Sequence, residues 1–122
     1  MITVADGQLR EMLRQVVAER PEYVYSPPEY MVKDVGDCFY VHEDEAGERV
    51  GAGCVIGVVL HRLGVPLGEL EKHEGQTIVQ MLNEVTRGAS RSMAIKLGVL
   101  QFNQDEGMPW GEAYIKAMGE SI

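Results

Sequence analysis

Two cysteines and two histidines stand at spacings that could support metal or thiol chemistry: Cys38, His42, Cys54 and His61. Cys38 and His42 are four apart in a segment that reads as a strand, so their side chains share a face. Cys54 and His61 are seven apart in a segment that reads as a helix, two turns along one side. Converged, the four would make a closed Cys2His2 zinc site of structural type. Reach argues against it. Four residues of strand span about 13 Å and seven of helix about 10 Å, whereas the ligands of one zinc lie within about 4 Å of one another. Zinc fingers also favour Cys-x2–4-Cys knuckles, absent here. The plainer expectation is that both cysteines are small buried hydrophobes and that His61 sits favourably at a helix C-terminus. A Cys–His nucleophile is a third reading, but no oxyanion hole or orienting group accompanies it, and no catalytic residue is assigned.

The remaining motifs are weaker. Pro27-Pro28-Glu29-Tyr30 has the form of a PPxY ligand for a WW domain; four-residue patterns recur by chance, and prolines that stiffen a strap explain it as well. Gly51-Ala52-Gly53 before a helix could hold an anion on free N–H groups, yet the dinucleotide fingerprint fails because Gly57 falls one residue late. Glu43-Asp44-Glu45 lacks the spacing of a calcium loop. A helix-turn-helix look over residues 60–73 ends in Glu69 and Glu71 against Lys72, which phosphates would repel.

The elements that must position these residues are legible in part. Leu9, Met12, Leu13, Val16 and Val17 recur at helical spacing behind a capping-box-like Thr3-x-x-Asp6, and Pro21 stops that helix. Residues 21–36 read as an extended strap with Tyr23, Tyr25 and Tyr30 as aromatic pins. A hairpin is expected from the strand 38–42, a polar turn with Gly47 at positive φ, and a return at Arg49-Val50. Residues 52–63 are apolar nearly all round, which places them as a central helix closed by Gly64 and Pro66, with Gly57 admitting a close backbone. Residues 67–73 then suggest a short helix or turn. Thr77-x-x-Gln80 and Ser90 open two more, the second carrying Met93, Leu97 and Leu100 on one face and Ile95, Val99 and Phe102 on another. Trp110, Ala113, Tyr114, Ala117 and Met118 form a terminal stripe. The expected fold is mainly α with one short antiparallel β-hairpin, about five helices around the 52–63 helix, in a single domain spanning 1–122.

Charge narrows the partners. The 122 residues carry a net −8, and residues 21–50 hold eight acids against two bases, −6 of that total. Phosphate backbones repel such a chain, so nucleic acid is not expected as a partner. The N-terminal residues have neither the basic start nor the apolar run of a signal peptide, and no stretch is long enough to span a bilayer, which points to the cytoplasm and reduced thiols. The acidic strap and hairpin remain as a protein-binding surface, with Tyr23, Tyr25, Tyr30, Glu43, Asp44 and Glu45 as its candidates and self-association left open.

Tyr23-Val-Tyr-Ser-Pro-Pro28, Cys38-Phe-Tyr-Val-His42, Cys54-Val-Ile-Gly57, Leu60-His-Arg-Leu-Gly-Val65, and Leu100-Gln-Phe-Asn-Gln-Asp105 through Trp110-Gly-Glu-Ala113 resemble a group of small uncharacterised proteins encoded by actinobacteria and their bacteriophages. The likeness covers residues 20–118. It implies a bacterial cytoplasm and transfers no catalytic residue or cofactor. The function expected is that of a non-enzymatic accessory protein acting by protein–protein contact, with a zinc-stabilised domain and a Cys/His enzyme as alternatives.

Overall fold

A computed structural model describes residues 1–31 and 39–121. Among them the chain forms six α-helices and two small sheets, in the order β1 (Ile2–Thr3), α1 (Asp6–Glu19), β2 (Val41–Glu43), β3 (Arg49–Ala52), α2 (Val55–Arg62), α3 (Leu67–Glu71), α4 (Ile78–Val85), β4 (Thr86–Arg87), α5 (Arg91–Asp105) and α6 (Trp110–Met118). A 3-10 turn, Glu29–Met31, lies in the strap between α1 and β2. The helix-rich architecture with one antiparallel hairpin is the one expected.

The apolar segment does lie at the centre, but its helix is shorter than its hydrophobicity suggests. Gly51 and Ala52 complete the hairpin, pairing with His42 and Val41. Cys54 then takes the N-cap position of α2, and Val55, Ile56, Gly57, Val59 and Leu60 are buried along it. Gly57 is where the hairpin crosses: a Cβ there would stand 2.5 Å from the Tyr40 carbonyl oxygen, so only glycine leaves room. Helix α1 packs alongside α2 through Leu9, Leu13, Val16 and Val17, while α5 presents Met93, Ala94, Leu97 and Leu100 to the same core. Trp110, Ala113, Tyr114 and Met118 of α6 complete it.

The hairpin closes through Asp44, whose Oδ1 accepts the N–H groups of Ala46 (2.9 Å) and Glu48 (3.0 Å), with Gly47 at φ +83°. The short side chain thus does the work of a turn.

Helix N-termini are satisfied from unexpected directions. Thr3 does not cap α1; it pairs in parallel with Arg87 as part of the β1–β4 sheet. Ala5 is the N-cap residue, and its N–H donates to Gln8 Oε1 at 2.8 Å, half of a capping box displaced by two residues. Asp6 is left free to accept the Ser90 N–H (2.8 Å), tying α1 to the start of α5. In α6 the first N–H groups, Trp110 and Gly111, donate to the strap carbonyls of Tyr23 (2.9 Å) and Pro21 (2.8 Å). Helix α2 has no cap of its own. The buried Gln104 of α5 supplies one, its Oε1 accepting from Val55 N–H at 2.8 Å and from the Trp110 indole N–H at 3.1 Å.

Candidate functional site

Three of the four Cys and His positions fall among the described residues, and they do not gather into one cluster. Cys38 lies outside the described residues. Cys54 is a free, fully buried thiol at the head of α2, and its N–H donates to the Phe39 carbonyl at 2.9 Å. His61 sits at the other end of that helix, exposed, with Nδ1 3.1 Å from the Val65 carbonyl oxygen. His42 is half-buried on β2, its Nε2 2.8 Å from the Tyr25 hydroxyl, and burial lowers its pKa below the ordinary 6.5. Among the described residues no group of three or more His, Cys, Asp or Glu side chains is arranged to hold a metal ion.

The glycine loop offers no anion cradle either. Gly53 N–H donates to the Tyr40 carbonyl and Cys54 N–H to that of Phe39, both at 2.9 Å, while Val55 N–H is held by Gln104. The PPxY form is not extended: Met31 N–H returns to the Pro28 carbonyl at 3.0 Å, curling Glu29 and Tyr30 into the 3-10 turn where a WW ligand needs a polyproline helix.

The strap tyrosines divide into anchors and a displayed ring. Tyr23 meets Trp110 edge-to-face at a centroid distance of 4.8 Å, under the Arg20 guanidinium at 4.2 Å. Tyr25 is buried, its hydroxyl shared among His42, the Phe39 N–H (3.1 Å) and the Phe39 carbonyl (3.4 Å). Tyr30 alone of the three is more than half exposed, at 53%, and its hydroxyl donates to the Glu43 carbonyl at 2.6 Å. That bond fastens the strap to the hairpin. Tyr30, Met31, Phe39, Glu43, Asp44, Glu45 and Gly47 line one shallow cleft, so four of the proposed interaction residues do come together.

Beside this cleft the carboxylates crowd. Arg49 Nη2 reaches Glu71 Oε1 at 3.1 Å. Glu43 has its pKa raised, first because a proton on it would be shared with Glu71, then by desolvation and the Glu71 charge, with Arg49 opposing. Glu71 Oε2 is buried, and with Glu43 unprotonated it has no hydrogen-bond donor among the described residues. Glu74 lies deeper. Burial pushes its carboxyl up to about 7, against the pull of N–H groups from Tyr40 (2.7 Å to Oε1) and Val41.

Sequence reasoning did not find Glu74 or His73. His73 is buried between α3 and α4, with Nδ1 near Gln76 Oε1 (2.8 Å) and Glu84 Oε2 (3.1 Å) and Nε2 near Glu69 Oε1 (3.4 Å). The spacing of Glu69 and His73, one helical turn, was the one available signal. For Glu74 there was none, since its partner is a backbone N–H 34 residues away. No helix among the described residues is long and apolar enough to cross a membrane. Comparison with family models, curated proteins and solved structures finds no match to this chain.

Proposed function

We propose that this chain is a non-enzymatic bacterial or phage accessory protein of the cytoplasm that binds a basic protein segment through the strap–hairpin face of residues 21–50. The observation that carries the reading is the pairing of Glu43 with Glu71 beside the Arg49 guanidinium, at the edge of a cleft topped by the exposed Tyr30 ring. A carboxylate whose proton affinity is raised by a neighbouring carboxylate gains from an additional positive charge. A lysine or arginine brought by a partner supplies it, and Tyr30 and the 64%-exposed Val50 add apolar area of the kind that interface cores use. The excess charge of 21–50 would steer such a partner inward.

The test is affinity capture from an actinobacterial lysate with the native chain and with the triple variant E43Q/D44N/E45Q, at low and moderate salt. The native chain retains a basic partner that salt weakens, and the variant loses it. Equal capture by both chains would refute the assignment.

A further inference from the structure

Helix α5 carries two apolar faces. One is the core face already described. On the other, Ile95, Val99 and Phe102 follow one another at helical spacing and are 48%, 45% and 61% exposed. Nothing in the strap–hairpin reading uses them. The same face is closed at its two ends by exposed residues of opposite sign: Arg91, the first residue of α5, and Glu106, its C-cap. They lie about 22 Å apart along the helix.

Both charges stand at the wrong end. A helix favours anions at its N-terminus and cations at its C-terminus, yet the first turn of α5 has no acid and the last turn no base. Neither Arg91 nor Glu106 has an ion-pair partner among the described residues. A second helix laid antiparallel corrects both faults together, because it sets its own C-terminal acid beside Arg91 and its own N-terminal base beside Glu106.

We propose that this face is a homodimer interface, two copies of α5 packing antiparallel across a two-fold axis. The register follows from the sequence. The pair Arg91 and Glu106 and the pair Ile95 and Phe102 share one midpoint, between Gly98 and Val99. A two-fold axis there sets Arg91 opposite Glu106 of the second copy and Ile95 opposite its Phe102, with Val99 against Gly98 at the crossing. Each contact is made twice, as an isologous interface requires. Repulsion is small on this side, since the residues outside 21–50 together carry only −2. One helix face per copy falls short of the roughly 1,600 Å2 of a standard interface, so the dimer dissociates on the order of 10–100 μM.

Sedimentation equilibrium of the full chain, from well below to well above that range, tests the proposal. The native chain passes from monomer to dimer without larger species. F102E weakens the dimer at least about tenfold, while circular dichroism stays unchanged because the position is exposed. R91E or E106R alone weakens it by about two- to fivefold, and R91E/E106R recovers it, since reversing both ends restores each pair across the axis. A native chain that stays monomeric throughout, as it would were the face kept for a different protein, overturns the inference. So do open-ended association, a dimer indifferent to F102E, and a double reversal that fails to recover.

Discussion

Replacing Gln104 with methionine isolates the cost of one side chain that serves two donors. Gln104 is 1% exposed, and its Oε1 accepts both the Val55 N–H at the head of α2 and the Trp110 indole N–H at the head of α6. Methionine has nearly the same length and fills the space, so no cavity term enters. What changes is that two buried donors lose their acceptor and Asp105 Oδ1 loses the Gln104 side-chain N–H at 3.0 Å. Each donor's loss costs about 1–3 kcal/mol, and the pair therefore about 2–6 kcal/mol. A chain of 122 residues has a total stability of about 6–18 kcal/mol, so the variant forfeits a sizeable fraction, corresponding to a fall in Tm of about 10–20 °C. Guanidinium unfolding followed by the fluorescence of Trp110, the only tryptophan, reads this directly: the midpoint drops while the slope m is kept. The Val55 amide exchanges faster with solvent, and the Trp110 indole proton shifts. An unfolding free energy within about 0.5 kcal/mol of the native value would refute the reasoning, because that is the scatter of a surface substitution.

Two further perturbations address the hairpin's seat. Glu74 ionises near 4.5 unfolded and about 7 folded, so its contribution to stability is fully present below pH about 4.5 and is lost as pH rises to about 7. Discounted for its partial contact with water, that loss is about 1–2 kcal/mol. E74Q keeps an acceptor for the Tyr40 N–H and does not titrate. The stability gap between E74Q and the native chain therefore widens in the variant's favour from pH 4.5 to 7, and a flat gap would dismiss the effect. His42, whose pKa is lowered, acts in the opposite sense: its contribution is present above about 6.5 and is lost as pH falls through its folded value, but it cancels in the difference. G57A places a methyl 2.5 Å from the Tyr40 carbonyl; overpacking of about 1–3 kcal/mol outweighs a helix-propensity gain of up to about 1 kcal/mol. Net stabilisation in urea would show that the crossing gives way easily.

What the sequence revealed follows the range of its signals. Periodicity is local, so the stripes of α1 and α6, the apolar segment that became α2 and the hairpin turn at Asp44–Gly47 were all readable from neighbours in the chain. The strand ending at Ala52 was not, because an apolar run gives no sign of where a strand yields to a helix. Long-range satisfaction of backbone groups left no trace either. Gln104 reaches Val55 across 49 residues and Asp6 reaches Ser90 across 84, and the two-residue pairing of β1 with β4 is too short to carry an alternating pattern. The same limit applies to the candidate surface. Three tyrosines of one strap look alike in sequence, and only packing separates the anchors Tyr23 and Tyr25 from the displayed Tyr30.

The strap's two moorings, and that of the hairpin beside it, bear on how the acidic face can be copied. Its carbonyls are held by the first turn of α6, Tyr25 by the residues around β2, and Tyr40 by Glu74 and Gln76. A synthetic peptide of residues 21–50 would retain the charges and surrender the shape. The face is a discontinuous epitope, and a competitor or mimic of it must be built on a folded scaffold.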